Sequence, residues 1–461
     1  MSGGDALHRD LVALLGEPAV PSGPLGIYDR DETEGRGVRG QADAVVLPGS
    51  AEEVAKVVEW CYRNGLEIVP RGGGSGFSGG AVPIEGGVVV GLERMRAVRS
   101  FDPELWRMEV EAGLRTSEIQ RLARENGLLF PPDPGAAEQS QIGGNIATNA
   151  GGPHAFKYGV TRSWVTGVEA VAAPGRIIHS GGPVRKDVSG YDTTGLLVGS
   201  EGTLGIITAA WLRFVPAPES RYPVAAFYPD PAAGCAAILR VYEAGLVPAA
   251  LEFLDEETFS VAGSGFPVSA PAGNGFLVIA EADGSEVEAR HLRVELTEVL
   301  EEGAALLHAP ERTSEINDLW KWRDGCSIAV TAQLGGKVSE DIVVPADRLE
   351  EAITGTLEIG RRHDLRTCSW GHAGDGNLHS TFMVSPEESG ALDRARLAAT
   401  ELFSLALDLE GTVSGEHGIG IAKNSGLAAQ MDRGEQGLHL DIKQALDPKG
   451  LFNPGKKMPL R

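Results

Sequence analysis

Three histidines and one glutamate near the C-terminus are the residues of this chain best suited to metal and proton chemistry. His372 and His379 flank a glycine-rich turn, and the adjacent pair Glu416-His417 lies in a second glycine-rich stretch. Imidazole nitrogens and carboxylate oxygens are common ligands of divalent metals. We therefore predict that His372, His379 and Glu416 hold a divalent metal, Zn or Mn, with one coordination position open. His417 is the candidate general base, because an unperturbed imidazole titrates near neutral pH. A polar hairpin without a ligand is the alternative.

The residues around the two histidines predict the local structure that brings them together. The runs 365–370 and 378–383 are strand-like, and the Asp-Gly pair at 375–376 suits a two-residue hairpin turn. Closing the hairpin on that pair places His372 directly opposite His379. Directly opposed Cβ atoms lie about 5 Å apart, which is close enough for both rings to bind one ion.

The composition indicates a globular chain of more than one domain. Of 461 residues, 42% are apolar and 23% are charged, and the formal net charge is −23. Two domains are the natural expectation at this length. The acidic charge argues against nucleic acid as a partner, because binding it requires a basic surface.

Cysteine usage and hydropathy restrict the redox chemistry and the location. The four cysteines are far apart and form no CxxC pair: Cys61, Cys235, Cys326 and Cys368. We therefore expect no iron–sulfur cluster built from this chain, and reduced thiols in a cytosol. No run reaches about 18 apolar residues, and the N-terminus lacks a signal-peptide pattern. We expect a cytoplasmic protein without a membrane span, and we leave open whether it associates with the inner face of the membrane.

Three glycine-rich segments in the first half predict a cofactor site. They are residues 71–80, 143–152 and 199–205. Backbone N–H groups can converge on an anion there, because no Cβ blocks the approach. The first segment lacks a Walker A ending, and no helix follows it as a Rossmann fingerprint requires. The stretch 136–162 shows little periodicity, which favours irregular backbone wrapped around a ligand. An extended dinucleotide would need all three segments.

Two patterns of strands and helices position these residues. The chain begins with a βαβ-like order: strand 44–47, a helix over 50–64 that Ser50 caps, and strand 66–69. After Pro216, strands alternate with amphipathic helices, which indicates a second, α+β domain with an antiparallel sheet. The predicted strands and helices of this second part are 224–227, 275–280 and 341–344, and 232–244, 286–302 and 346–363.

Seven motifs spread over residues 44–457 resemble those of one family. They are 70–76, 132–134, 143–152, 199–208, the histidine hairpin, 414–420 and 452–456. On these motifs the chain resembles the FAD-linked oxidase superfamily of the vanillyl-alcohol oxidase type. Within it, the chain resembles the FAD-dependent D-lactate, glycolate and D-2-hydroxyglutarate dehydrogenases.

The resemblance implies an α+β fold. A two-part FAD-binding domain of the vanillyl-alcohol oxidase type would carry an antiparallel-sheet α+β cap domain, inserted before the C-terminal segment. The implied boundaries are 1–218 for FAD binding, 219–410 for the substrate cap, and 411–461 for a segment that completes the active site.

The same resemblance implies noncovalent FAD, because the first glycine segment has no histidine for a covalent link. The implied FAD-binding residues are mostly glycine or small and polar: Arg71, Gly72, Gly73, Gly74, Ser75, Gly76, Ser78, Gly79, Pro132, Asp133, Gly143, Gly144, Asn145, Thr148, Asn149, Gly151, Tyr158, Glu201, Gly202, Ile206 and Asn453.

The resemblance also implies the substrate and the reaction. Arg323 matches the catalytic arginine that grips the substrate carboxylate, and Lys337 and Asn377 are further substrate contacts, although the spacing around Lys337 departs from the family pattern. Thr381 stands where the D-2-hydroxyglutarate enzymes have Asn, which favours a small D-2-hydroxy acid, D-lactate or glycolate. Metal-assisted hydride transfer to flavin N5 would yield the 2-oxo acid.

Several alternatives stay open. The chain could be a D-2-hydroxyglutarate dehydrogenase, a transferase like alkyl-dihydroxyacetonephosphate synthase, or a flavoprotein subunit active only with partners. Its electron acceptor could be oxygen, a quinone, a cytochrome or an iron–sulfur protein, and a homodimer is one possible assembly.

Overall fold

The computed structural model describes residues 3–23, 25–271, 273–385 and 387–458, without the side chains of 3–5 and 34. The strands β1 to β17 are Ala44–Val46, Ile68–Arg71, Val88–Gly91, Val98–Asp102, Arg107–Glu111, Leu128–Leu129, Val165–Ala172, Arg176–Gly181, Ile206–Arg213, Val215–Pro216, Ser220–Tyr228, Ala250–Asp255, Phe276–Gly284, Leu306–His308, Gly336–Val343, Thr367–His372 and Asn377–Val384. The helices α1 to α14 are Gly3–Leu15, Ala51–Asn64, Thr116–Glu125, Ile142–Thr148, Ala155–Tyr158, Thr193–Leu197, Pro231–Glu243, Glu256–Ala262, Glu286–Glu301, Thr313–Leu334, Leu349–Arg362, Ala391–Asp408, Asn424–Gln430 and Arg433–Leu446. None of the helices in these ranges is long and apolar enough to cross a membrane.

The chain forms two compact units, each built from separate stretches of sequence. The first unit comprises Met1–Gly151, Val160–Ala217 and Glu416–Arg461. The second comprises Gly152–Gly159 and Pro218–Gly415. The short stretch with α5 therefore belongs to the second unit, although its neighbours in the sequence belong to the first.

The predicted βαβ start of the first unit is confirmed. β1, β3 and β2 form a parallel sheet in that order, and α2 connects β1 to β2. The side chain of Ser50 caps α2 by accepting the N–H of Glu53. The Glu53 carboxylate accepts the N–H of Gly49, one residue earlier than a capping box requires. The apolar side chains of α2 recur every three or four residues and are buried: Val54, Val57, Val58 and Cys61.

A second sheet of the first unit is antiparallel, with strand order β4-β5-β9-β7-β8. It contains the antiparallel hairpin β7–β8. The expectation of irregular backbone over 136–162 is wrong in part, because α4 and α5 lie there. Ile142 and Ile146, spaced by one helical turn, are both buried. Two such residues among glycines, alanines and threonines are too few to show a helical period in the sequence.

The predicted α+β character of the second unit is confirmed. Its seven-stranded antiparallel sheet has the order β14-β11-β13-β12-β16-β17-β15. Helices α9 and α7 pack on β11 and β13. Helix α11 packs on β16 and β17, and α12 packs on β15 and β17. Helix α10 and the short α8 bury a separate apolar cluster with Leu254, Trp370 and Met383. Because side chains alternate along a strand, these three residues lie on one face of the sheet.

Polar residues interrupt that same face. Glu252 on β12 is paired with His372 on β16, which is paired with Asn377 on β17. One pair further along, Trp370 is opposite His379, which is opposite Asp341 on β15. The strand registers thus place five polar side chains on the face that α10 covers.

Candidate active site

The hairpin that carries the two histidines is confirmed, but its predicted register is wrong. A 3-10 turn, Ala373–Asp375, and Gly376 make a four-residue loop, so that His372 is paired with Asn377 and not with His379. Gly376 adopts φ +67°. A two-residue shift preserves the face of a strand, so the two histidines become diagonal neighbours on the same side.

A tertiary contact explains the longer loop. The carbonyl of Gly376 accepts the N–H of Val344, and a Cβ at Gly376 would lie 1.9 Å from the Val344 carbonyl oxygen. The turn is therefore held against β15 by a contact that the local sequence does not contain. Diagonal cross-strand neighbours remain within reach of aromatic rings. The Nε2 atoms of His372 and His379 are 3.4 Å apart, and the ring planes meet at 89°.

A buried carboxylate orients the first of these rings. Glu252 is 0% exposed, and its Oε1 lies 2.7 Å from Nδ1 of His372. Its Oε2 accepts Nη2–H of Arg323 at 2.5 Å. Burial opposes the charge of Glu252, but His372 and Arg323 outweigh it and hold the pKa of this carboxyl below its usual value. Glu252 therefore contacts His372 with one carboxylate oxygen and Arg323 with the other.

Arg323 is positioned by α10 and is 6% exposed. Among the described residues, its Nε is buried and has no hydrogen-bond partner. A buried guanidinium N–H without a partner costs free energy unless a ligand supplies an acceptor. The arginine predicted to bind a carboxylate therefore has a donor that a carboxylate could use.

Lys337 on β15 contacts α10 at Ser327, one helical turn beyond Arg323. Its Nζ donates to the carbonyl oxygen and the Oγ of Ser327, at 3.1 and 2.6 Å, and lies 5.5 Å from the centre of the Trp370 ring. Burial lowers the pKa of Lys337 to about 8. Ser327, which the sequence analysis missed, is four residues from Arg323 and thus on the same side of the helix.

The lowered pKa of Lys337 predicts a pH-dependent effect of replacing it. In the unfolded chain a lysine titrates near 10.5, so between about pH 8 and 10.5 the folded state binds fewer protons than the unfolded state. The cost of burying this charge is therefore fully present below pH 8 and disappears as the pH approaches 10.5. We expect Lys337→Met to raise the melting temperature at pH 7 and to change it little near pH 10. Thermal unfolding of both proteins across this range measures the difference, and a difference independent of pH would contradict the prediction.

Gly415, the last residue of the second unit, is hydrogen-bonded to the strand residue opposite His379. Asp341, opposite His379, accepts the N–H of Gly415 on its backbone oxygen and on Oδ2, both at 2.9 Å. The amide of Asn377 donates to the carbonyl of Ile342 at 3.0 Å, and a Cβ at Gly415 would lie 2.6 Å from that amide. In this structure Asn377 thus supports the backbone that leads out of the unit.

Glu416 and His417 are the next residues of the chain and begin the last stretch of the first unit. The carboxylate of Glu416 lies over Gly151, where a Cβ would be 2.9 Å from its Oε2. The backbone carbonyl of His417 accepts the hydroxyl of Ser78 at 3.0 Å, and its ring lies 4.9 Å from that of Phe77. Within the first unit, the candidate base and the candidate acidic ligand therefore contact two of the three glycine-rich segments.

The glycine-rich segments contact one another. A Cβ at Gly73 would lie 2.1 Å from the carbonyl oxygen of Gln139, and one at Gly72 would lie 3.3 Å from Cα of Gly144. Gly143 packs equally closely on Ala112. Glycine is therefore required at positions 73 and 143, and the first and second segments meet closely at Gly72 and Gly144.

Other predicted FAD residues hold these segments in shape. The amide of Asn145 donates to the Thr116 hydroxyl, and Asn149 ends α4 at φ 55° while its Oδ1 accepts the N–H of Arg162. The Thr148 hydroxyl donates to the Gly144 carbonyl at 3.2 Å. The carbonyl of Pro132 accepts the amide of Gln120 at 2.9 Å. The remaining predicted residues of these loops, Ser75, Gly76 and Asp133, are only partly buried.

Arg71 and Gly74 are packed against each other, because a Cβ at Gly74 would lie 2.0 Å from Nη2 of Arg71. Nη1 of Arg71 donates to the Arg30 carbonyl at 2.7 Å, and its guanidinium lies 5.6 Å from the centre of the Tyr28 ring. Gly79, at φ +78°, packs on Ile421 in the C-terminal stretch. Contacts with its own Arg71 and with Ile421 of the C-terminal stretch therefore hold the first segment in place.

Glu201 and Asn453 join the third segment to the C-terminal stretch. The two carboxylate oxygens of Glu201 accept the N–H groups of Ile419 and Gly420, at 2.9 and 2.7 Å. The amide of Asn453 donates to the backbone carbonyls of Gly80 and Glu201, at 2.9 and 2.7 Å. Both side chains, predicted as FAD ligands, hold loops together in this structure. Next to Glu201, Gly202 packs on Pro70, and β9 begins at the buried Ile206.

Tyr158 is placed in the second unit. Its hydroxyl donates to Oδ2 of Asp283 at 2.5 Å, while Lys157 pairs with the other oxygen of the same carboxylate. His154 lies 3.2 Å from Oε1 of Glu281, which is 0% exposed. These contacts attach the 152–159 stretch to β13.

Family models match almost the whole of this arrangement. One, described as "FAD binding domain", matches residues 42–181, and a second, described as "FAD linked oxidases, C-terminal domain", matches residues 217–457. The chain belongs to the FAD-linked oxidase family. The predicted family, fold class and redox enzyme class are confirmed, and FAD is the cofactor of this FAD-linked oxidase.

Relatives agree with this assignment, and a solved structure agrees with the fold. The glycolate oxidase subunit GlcD of Bacillus subtilis (strain 168) is 35% identical over 419 residues, which cover 90% of this chain and 88% of that protein. A D-lactate dehydrogenase of Anaerostipes hadrus is 34% identical over 427 residues, covering 91% and 90%. The crystal structure of p-cresol methylhydroxylase with substrate bound has a TM-score of 0.83 at 16% identity, covering 99% of this chain and 97% of that one. This last likeness concerns the fold alone.

The glycine-rich segments of this FAD-linked oxidase fit a dinucleotide. Where glycines pack closely, as at Gly72 and Gly144, no Cβ blocks the approach of a ligand phosphate to the backbone N–H groups. Around them the C-terminal stretch closes on Ser78 and Glu201. The roles of individual residues in holding FAD remain predictions.

Lys456 fastens this C-terminal stretch to the first glycine-rich segment. It is 5% exposed, and its Nζ donates to the carbonyls of Gly80 and Val82 and to Oδ1 of Asn453. Lys456→Met would remove these three hydrogen bonds, each worth about 0.5–1.5 kcal/mol. We expect the melting temperature to fall by roughly 5–10 °C, with weaker FAD retention. Lys449→Met is the matched control, because exposed Lys449 donates, within the described part of the chain, to the Tyr62 carbonyl alone. Equal losses in both variants would contradict the prediction.

The buried carboxylates Glu252 and Glu281 of the second unit were not predicted from the sequence. Glu252 and Glu281 lie inside the mostly apolar strands β12 and β13. A charged residue in a buried, mostly apolar strand needs a buried partner. A glutamate within such a strand is therefore the sequence signal that could have indicated these sites. Without the fold, however, neither partner could be named.

Proposed function

We propose that this FAD-linked oxidase oxidises a small 2-hydroxy monocarboxylate, D-lactate or glycolate, to the 2-oxo acid. The single observation that carries the proposal is the connection of His372 to Arg323 through Glu252. Arg323 and His372 both contact this carboxylate, which supports a substrate-binding cation close to a metal-binding histidine pair. The names of the relatives, a glycolate oxidase subunit and a D-lactate dehydrogenase, support the same substrate class.

Arg323 binds the substrate carboxylate in this proposal. Its Nη2 is already used by Glu252, and its Nε is the donor without a partner among the described residues. A charge-assisted hydrogen bond from a fixed guanidinium orients the carboxylate as well as binding it. Below its pKa of about 8, Lys337 adds positive charge beside Ser327, which lies one helical turn along α10 from Arg323.

His372, His379 and Glu416 would hold a divalent metal, Zn or Mn. The two Nε2 atoms are 3.4 Å apart, and the Nδ1 of His372 is engaged by Glu252, which is the arrangement that keeps Nε2 available for a metal. Gly415 is fastened to Asp341 opposite His379, and Glu416 follows it by one peptide bond, about 3.8 Å between Cα atoms. The donor set fits Zn²⁺ or Mn²⁺. Such a metal would lower the pKa of the substrate hydroxyl as a Lewis acid.

His417 accepts the hydroxyl proton in this proposal. It follows Glu416 directly, and its backbone is held by Ser78 of the first glycine-rich segment. Bound FAD would supply the hydride acceptor for the carbon that carries this hydroxyl. Within the protein, Arg323 holds the substrate in place while His417 removes the proton.

Thr381 favours a small substrate. Its hydroxyl lies 2.8 Å from Oγ of Ser339 and is therefore already engaged within the sheet. A longer dicarboxylate would require a further polar contact at this position, which an engaged threonine does not offer. We therefore place D-2-hydroxyglutarate below D-lactate and glycolate.

A substrate panel tests the proposal. The purified full chain is assayed by dye reduction with D- and L-lactate, glycolate and D-2-hydroxyglutarate, with and without added Zn²⁺ or Mn²⁺. We expect turnover with D-lactate or glycolate and release of free FAD on acid precipitation. Turnover restricted to D-2-hydroxyglutarate would contradict the substrate assignment, and failure of every hydroxy acid to bleach the flavin anaerobically would reject the function.

The electrons must then pass to a separate acceptor. All four cysteines are buried and free of disulfides, so they offer no thiol relay on the surface. A quinone, a cytochrome, an iron–sulfur protein and oxygen remain the candidate acceptors, and the same dye assay run under air and under argon tests the last of these.

A further inference from the structure

Glu252 is a fully buried carboxylate that binds neither the metal nor the substrate in the proposed function. It lies in the middle of β12, and both of its oxygens are engaged, by His372 at 2.7 Å and by Arg323 at 2.5 Å. An ionised carboxylate is expensive to bury unless its oxygens are satisfied. A charged residue at such a position therefore needs an explanation beyond packing.

We propose that Glu252 is a positioning residue that orients a metal-binding histidine and the carboxylate-binding arginine at the same time. Metal affinity and substrate affinity would then both depend on one side chain. This inference rests on the proposed function, because it assumes that His372 binds a metal and that Arg323 binds the substrate.

The geometry at His372 supports the first role. A carboxylate on Nδ1 fixes that nitrogen as the donor and leaves the Nε2 lone pair for a metal, on the side where Nε2 of His379 lies 3.4 Å away. Removing an outer carboxylate of this kind typically weakens metal binding by about 10–100-fold.

The geometry at Arg323 supports the second role. Glu252 holds Nη2, at one end of the guanidinium, and leaves Nε without a partner among the described residues. A planar guanidinium fixed by one donor presents its others in a defined direction. Without this contact, Arg323 could turn away from the substrate.

Glu252→Gln tests both roles with little change in volume. Both partners of Glu252 donate, so an amide can accept from only one of them and must face the other with its own N–H. We expect the affinity of the purified, FAD-loaded chain for Zn²⁺ and Mn²⁺, measured by equilibrium dialysis, to fall about 10–100-fold. We also expect KM for the hydroxy acid to rise by about tenfold or more, from the loss of a charge-assisted contact.

Glu281→Gln is the matched control. Glu281 is equally buried on the neighbouring strand and also accepts from two donors, Trp320 and His154. It contacts neither His372 nor Arg323 in these interactions. This variant reports the structural cost of the substitution, and we expect its metal affinity and KM to stay at wild-type values.

Two further variants separate positioning from packing. Glu252→Asp keeps the charge and is expected to lose less metal affinity than Glu252→Gln. In an Arg323→Lys background, Glu252→Gln should change KM much less while still weakening metal binding, because coupled residues are not additive. Equal metal losses in the Asp and Gln variants, or equal losses in Glu281→Gln, would overturn the inference.

The outcomes also separate this inference from the proposed function. If the wild type binds metal and oxidises the substrate while Glu252→Gln keeps both affinities, only the positioning role is rejected. If the wild-type chain binds no metal, the proposed metal site and this inference are rejected together.

Discussion

Replacing His379 by alanine is expected to lower kcat by about 1,000-fold, because Lewis-acid stabilisation is worth several kcal/mol and each 1.36 kcal/mol is tenfold in rate. The two Nε2 atoms of the histidine pair are 3.4 Å apart. Alanine at position 379 removes one of these two imidazole ligands of the proposed metal. Metal content, measured by elemental analysis, should fall with the activity. FAD content should stay near that of the wild type, because the glycine-rich segments belong to the first unit.

His363→Ala is the control for this experiment. The His363 ring is also partly buried and lies 2.7 Å from a carboxylate oxygen of Glu401, but it follows α11 and is not part of the hairpin. We expect wild-type kcat and metal content for it. Full activity of His379→Ala in the presence of EDTA would remove the metal from the mechanism.

Replacing Arg323 by lysine is expected to lower kcat/KM by about 100-fold, since charge-assisted hydrogen bonds contribute about 1.5–3 kcal/mol each. Lysine keeps a positive charge for Glu252 but lacks the fixed fork with which a guanidinium holds a carboxylate. Most of the effect should lie in KM, because the lost contact binds the substrate before and during the reaction. Steady-state kinetics with D-lactate or glycolate would measure it.

Arg240→Lys is the matched control in the same unit. Arg240 on α7 donates to the backbone carbonyls of Val299 and Glu302 at the C-terminal end of α9. We expect unchanged kinetics for this variant. An Arg323→Lys enzyme with wild-type KM would show that another residue binds the carboxylate, and Lys337 with Ser327 would then be the first to test.

Local chemistry was readable from the sequence where a few neighbouring residues decide it. Ser50 predicted the start of α2, and the strands that alternate with helices after Pro216 predicted an antiparallel sheet. The histidine hairpin was predicted as well, although its loop was two residues too short, because a contact with Val344 holds Gly376 and lengthens the turn. The family followed from ordered motifs along nearly the whole chain.

Contacts between residues far apart in the sequence could not be predicted in the same way. Glu201 and Asn453 were predicted to bind FAD, yet here they hold the third glycine-rich segment and the C-terminal stretch together. A small polar residue in a glycine-rich loop can serve a ligand or the loop itself, and sequence does not distinguish the two. Their part in binding FAD stays a prediction.

The sequence by itself therefore determined the residue types for the chemistry: a histidine pair, a carboxylate-binding arginine and glycine segments for a dinucleotide. Only the tertiary structure decided which of them share an electrostatic environment. Glu252 and His372 are 120 residues apart, and Glu252 and Arg323 are 71 apart, and they meet because strand pairing and the packing of α10 bring them together. The free energy of a buried charge depends on its partners in space, and that dependence has no signature in a local run of residues.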